Sequence, residues 1–116
     1  MHRFKELEIW KRSRLLCSKI YKLTAKFPES EKFGLTHQLR RASVSIPSNI
    51  AEGSSRNSNK YFSRFLQITL GSAYEIETQL LIANDLKFIS KNELETITSE
   101  LEQIIKMVSK FNSTLA

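Results

Sequence analysis

Apolar and polar positions along the chain alternate in steps of three and four, the spacing of helices that bury one face. Four segments carry this pattern. The first, about 6–26, aligns Ile9, Ser13, Leu16, Ile20, Leu23 and Phe27, and Pro28 closes it. The second, about 30–52, aligns Leu35, Leu39, Ala42 and Ile46. The third, about 58–85, steps through Phe62, Leu66, Thr69, Ala73, Ile76, Leu80 and Ala83. The fourth, about 91–115, opens on SKNE, Ser90 to Glu93, a capping box in which hydroxyl and carboxylate each satisfy a free backbone N–H. It continues through Leu94, Ile97, Leu101, Ile104, Val108, Phe111 and Leu115. Four rods of similar length joined by short turns bury these stripes best as an all-α, antiparallel up-down-up-down four-helix bundle. That arrangement makes residues 1–116 a single domain.

The stretch RRASVSIPSNIAEGSSRNSNK, residues 40–60, sets a proline inside the second segment. Pro47 removes a backbone donor and crowds the carbonyl of Ser43, yet Ile46 and Ile50 keep the apolar register. A helix kinked near Ser43–Pro47 explains this better than a linker. The hydroxyls of Ser43, Ser45 and Ser48 are available to nearby carbonyls, including the one Pro47 frees. Gly53 is expected as a left-handed stop after Glu52. GSSRNSNK lacks the second Gly and the Lys-Ser/Thr ending of a phosphate-binding loop, and a helix precedes it. Ser58 or Asn59 capping the third helix is the plainer role, with free N–H groups beside Arg56, Lys60 and Arg64.

Composition narrows the class. At 41% hydrophobic and 26% charged, the chain is ordinary for a globular protein, so wholesale disorder is excluded. Three Gly and two Pro are too few for a turn-rich all-β fold. The lone Cys17, among apolar neighbours, reads as a small core residue. With one cysteine and no cationic-then-apolar leader, a cytoplasmic location is expected. No apolar run approaches the roughly 18 residues of a membrane span.

Little catalytic chemistry is visible. His2 and His37 lack partners at metal-ligand spacing, so no metal or cofactor is expected. Glu75 and Glu77 lie on different faces of the third helix and suit ion pairing better than acid–base work. The expectation is a protein that is not an enzyme.

Charge does change the picture. Residues 1–64 hold 14 of the 18 Lys and Arg but 5 of the 12 Asp and Glu. Lys5, Arg12, Lys19 and Lys26 recur every seven residues on the first helix, with Lys22 adjoining. Together with Arg40, Arg41, Arg56, Lys60 and Arg64 they are candidates for a basic surface that follows nucleic-acid phosphates. A solvated face is the bland alternative, and Arg41 leaves the set if it pairs with Glu52 or Glu75. With only Tyr61 and Phe62 near the basic turn, backbone or shape recognition is favoured over base reading. The third helix also carries Phe65, Ile68, Leu70, Tyr74, Leu81 and Ile82 outside its core line, with Gly71 and Ser72 small enough for close approach. Self-association through this second face is expected, against a merely wide core stripe.

FGLTHQLRRASVSIPSNIAEG, Phe33 to Gly53, resembles the hallmark of the bacterial four-helix-bundle proteins encoded in 23S rRNA intervening sequences, with Phe33 where Tyr is common. GSAYEIETQLLIANDLKFIS, residues 71–90, and the opening ELEIWKRSRLLCSKIYKLTAKFP fit the same family. The resemblance implies a bundle with a proline-bent second helix and a ring-like homopentamer. It also implies similarity to the accessory variability determinant of diversity-generating retroelements, a basic barrel that binds nucleic acid and a reverse transcriptase. The resulting expectation is a homo-oligomer binding RNA or DNA electrostatically. The alternatives are a scaffold for a polypeptide partner, or a small-molecule binder, for which the core offers little beyond Ser13 and Thr69.

Overall fold

A computed structural model describes residues 2–116; Met1, the first residue of the expected domain, lies outside the described residues. Four helices follow one another: α1 (Glu8–Thr24), α2 (Leu35–Ser54), α3 (Asn59–Asp85) and α4 (Lys91–Ser113). Single 3-10 turns at Phe4–Glu6 and Glu29–Glu31 precede α1 and α2.

The helix ends follow local chemistry. Thr24 turns its hydroxyl back onto the Ile20 carbonyl (2.7 Å), and the chain leaves α1 before Pro28. α2 begins at Leu35 rather than near Ser30, because residues 29–31 form the separate turn and Glu31 Oε1 accepts the Leu35 N–H at 3.0 Å. Ser58 caps α3, accepting from Tyr61 N. The capping box of α4 is complete: Ser90 Oγ accepts from Glu93 N (3.1 Å) and Glu93 Oε1 from Ser90 N (2.9 Å). α3 closes on Lys87 in the left-handed region (φ 64°), with Phe88 N–H donating to the Ala83 carbonyl at 2.9 Å.

Cross-helix pairs fix the directions. Arg12 and Lys19 on α1 and Lys26 just beyond its end meet Gln103, Glu100 and Glu93 in turn, so α4 runs opposite to α1. Gln38 and Ser45 of α2 meet Gln79 and Ser72 of α3, again in reverse order. Phe62, early in α3, packs on Phe111, late in α4, with ring centroids 5.4 Å apart. Each helix touches its neighbours in sequence, and α4 closes the ring against α1. The four stripes meet in one core containing Leu16, Ile20, Leu39, Ile46, Ile50, Leu66, Ile76, Leu80, Leu101 and Val108. The α3 stripe is buried at all seven expected positions.

α2 continues through Pro47 as one helix, with Ile46 and Ile50 both fully buried. The serine hydroxyls do not serve the carbonyl that Pro47 frees. Ser43 donates to the Arg40 carbonyl (2.9 Å), and Ser45 shares a hydrogen bond with Ser72 (2.9 Å) while accepting from Asn49 Nδ2. Gly53 is not the left-handed stop expected: it lies within α2, no described glycine has positive φ, and the helix runs one residue further. Its role is close approach. A Cβ there would lie 2.7 Å from Phe65 Cβ and 2.9 Å from Phe62 Cδ1, so only glycine lets α3 pack this near.

Candidate nucleic-acid interface

The α1 cations expected to line a bare basic strip are turned onto α4. Lys19 pairs with Glu100, Lys26 with Glu93, and Arg12 donates to Gln103 Oε1. The signal was present in the sequence, since Glu93 and Glu100 repeat the seven-residue spacing of Lys19 and Lys26. Both ion pairs are solvent-exposed and contribute about 0–1 kcal/mol each, so they align the α1–α4 seam more than they hold it. Glu93 ionises more readily than an ordinary carboxyl, first because Lys26 hydrogen-bonds it and then because the Ser90 N–H does.

Arg40 and Arg56 are also occupied. Arg40 Nε donates to Thr24 Oγ1 at 2.9 Å and its Nη2 to the Tyr21 carbonyl at 3.2 Å, while its guanidinium lies 4.7 Å from the Tyr21 ring centre. It therefore satisfies the C-terminal end of α1, where a cation is favoured. Arg56 pairs with Glu52 at 2.6 Å and stacks over Phe65 at 5.2 Å. The Glu52–Arg56 pair has the i,i+4 spacing that the sequence shows, whereas the stacking on Tyr21 and Phe65 leaves no mark in residue spacing.

Lys5, Lys22, Arg41, Lys60 and Arg64 remain open, exposed and without an ion pair among the described residues. Arg41 is exposed and makes no ion pair with Glu52 or Glu75 among the described residues, although Glu75 lies across a shared cavity. Lys60 and Arg64 stand one turn apart on α3 and line a surface cavity of about 610 Å³ with Asn59, Ser63, Gln67 and Asn112.

That cavity marks the end of the bundle where four segments meet. His2 N–H donates to the Ser54 carbonyl (3.2 Å), and the His2 ring sits edge-on to Phe62 (5.1 Å) and Phe111 (5.7 Å). The start of α1, the end of α2, the start of α3 and the end of α4 are thereby gathered together. Residues 2–16, 45–72 and 102–116, which form this half, hold 10 of the 18 Lys and Arg and 4 of the 12 Asp and Glu. Residues 17–44 and 73–101, the other half, hold 8 of each. The whole formal charge of +6 thus belongs to one half of a 43 Å long body. At physiological salt, fields decay over about 8 Å, so the neutral half does not cancel it.

The outer side of α3 is mixed. Ile68, Tyr74, Leu81 and Ile82 are 47%, 54%, 50% and 42% exposed. Phe65 and Leu70, expected in the same surface, are instead half-buried in their own chain, Phe65 beside Gly53 and Leu70 against the core. Ser72 faces α2 through Ser45, and Gly71 is exposed, with nothing within 4 Å of where a Cβ would stand. Cys17 is half-buried, with Ser43 Oγ 3.5 Å from its sulfur. Among the described residues, no cluster of three or more His, Cys, Asp or Glu could hold a metal ion, and no helix is long and apolar enough to cross a membrane.

A family profile described as 23S rRNA-intervening sequence protein matches residues 5–110. The chain belongs to that family. The match runs from the turn before α1 nearly to the end of α4, so it takes in the whole bundle. A crystal structure from Bacteroides thetaiotaomicron VPI-5482, described as a protein of unknown function from the S23 ribosomal protein family, is similar at a TM-score of 0.84 and 24% identity. The likeness covers 90% of this chain and 95% of that one. At that identity it speaks for the fold. Comparison with curated proteins found no match. Within this intervening-sequence protein, the hallmark residues 33–53 are α2 and its approach, which place Arg41 and Ser45 on the α2–α3 groove and Gly53 beneath α3.

Proposed function

We propose that this protein is a non-enzymatic homo-oligomer that binds RNA electrostatically through the basic end of its bundle. The observation that carries the reading is the confinement of the net charge to the half containing Lys60 and Arg64. These two side chains are exposed and line a surface cavity of about 610 Å³. The α1 cations play a lesser part, because a phosphate must first displace the α4 carboxylates from Lys19 and Lys26. Membership of the family is consistent with an RNA partner, and the exposed Ile68, Tyr74, Leu81 and Ile82 give copies of the chain an apolar contact face. By its resemblance to ring-forming relatives, five is the copy number proposed.

The test is a salt-titrated binding measurement with a single-stranded RNA. Wild-type affinity falls steeply with salt, and Lys60→Glu with Arg64→Glu lowers the magnitude of the log–log slope by about 1.4, two phosphate contacts at about 0.7 each. Lys19→Glu with Lys26→Glu changes the slope less. Salt-independent binding, or equal effects from the two pairs of substitutions, discards the reading. Light scattering tests the assembly: a mass near 13.4 kDa at micromolar concentration removes it and leaves the α3 face to a polypeptide partner.

A further inference from the structure

We propose that the cavity between α2 and α3 receives the base of an unpaired guanine nucleotide, gripped from opposite walls by Arg41 and Glu75. This rests on the RNA-binding reading and adds a base-selective element to it. The cavity is about 430 Å³, room for a purine, and lies on the side of the bundle, lined by His37, Gln38, Arg41, Ser45, Ser72 and Glu75.

The two charged walls are complementary and not paired with each other. Arg41 on α2 and Glu75 on α3 share the cavity without forming an ion pair. Arg41 therefore keeps its fork of N–H donors. One Glu75 oxygen accepts a long hydrogen bond from Gln79 Nε2 (3.4 Å), and the other is open. Gln79 stands behind this wall, only 7% exposed, and its Nε2 also donates to Gln38 Oε1 (3.3 Å). Its own Oε1 is buried without a donor among the described residues and lies outside the cavity lining. One side of the groove thus offers acceptors and the other offers donors.

Guanine has the matching edges. Its N1–H and N2–H₂ donate to a carboxylate, while O6 and N7 accept two bonds from an arginine fork. Adenine sets an acceptor where guanine has N1–H. Uracil flanks its single donor with two acceptors. Cytosine, through its N4 amine, is the nearest competitor. The base must be unpaired, because a duplex uses these edges, and the His37 ring at the rim is available for stacking. Ser45 and Ser72 sit near the middle of α2 and α3, so a strand whose phosphates follow the basic end can lay a base here.

Equilibrium dialysis of the full chain with GMP, AMP, CMP and UMP, at salt high enough to suppress the phosphate contribution, tests this. GMP is expected to bind about tenfold or more tightly than AMP. Arg41→Ala and Glu75→Gln should each abolish that preference while leaving the particle mass unchanged, and Glu75→Gln should also leave salt-dependent binding of oligouridine unchanged. Both positions are exposed, so neither substitution opens the core. Four equal affinities, a guanine preference surviving both substitutions, or a changed particle mass in either variant overturns the proposal. Loss of oligouridine binding in Lys60→Glu/Arg64→Glu with the GMP preference intact separates this cavity from the basic end.

Discussion

Glycine to alanine at positions 53 and 71 is one chemical change made in two surroundings, and the structure demands opposite outcomes. Both glycines lie inside helices, where the swap alone stabilises by about 0.5–1 kcal/mol by restricting the unfolded chain and improving helix propensity. At Gly71 nothing lies within 4 Å of the new Cβ, so the full gain is expected. At Gly53 the methyl would meet Phe65 Cβ at 2.7 Å and Phe62 Cδ1 at 2.9 Å. Phe62 is a fully buried ring, and Phe65 Cβ is fixed to the α3 backbone, so neither yields by a simple rotation. Relief requires α2 and α3 to separate, an overpacking cost of about 1–3 kcal/mol. The net expectation is destabilisation of about 1–2 kcal/mol for Gly53→Ala, and a spread between the variants of about 2–3 kcal/mol. Thermal unfolding followed by circular dichroism reads both, and the melting midpoints should differ by roughly 10 °C, at about 4 °C per kcal/mol for a domain of this size. If Gly53→Ala is as stabilising as Gly71→Ala, the close approach of α2 and α3 is wrong, and with it the account of why glycine stands in the hallmark.

Other outcomes follow from single sites. Lys87 holds a left-handed conformation at the end of α3, so Lys87→Gly should stabilise by about 0.5–1 kcal/mol in the same unfolding assay; a loss would mean the side chain has a role beyond the cap. Ser90→Ala removes one half of the α4 capping box and should cost about 1 kcal/mol. Glu93 has its folded-state pKa depressed below the ordinary 4.5, so the stability it contributes is present above pH 4.5 and lost as pH falls through the depressed value. Lys26→Ala removes the main cause of that depression, and the fall in stability between neutral and acid pH should be smaller in this variant than in wild type; an equal fall assigns the effect elsewhere.

The α3 stripe was fully readable because burial repeats at a period that nothing but a helix satisfies. The SKNE cap was readable because its bonds span three residues. Gly53 misled because a glycine near a helix end has two uses, and only the position of Phe65 on another helix distinguishes them. The start of α2 misled for a similar reason: Glu31 serves the helix from outside it, leaving Ser30 in a turn. In the candidate site, Lys60 and Arg64 are exposed as expected; Arg56 pairs with Glu52 at a spacing the sequence shows, whereas Arg40 is absorbed by Tyr21 and Thr24, neighbours that no spacing rule brings to mind.

By itself the sequence determined the helices, their inward faces and the total charge, since these depend on side chains within a few residues of one another. Tertiary structure decided how that charge is distributed. A division by chain position put the cations in residues 1–64, but antiparallel folding sends half of α1 and α2 to the neutral half and brings Lys106 and Lys110 back to the basic one. Which cations face carboxylates and which face water depends on the register between rods, and register is settled by packing in three dimensions.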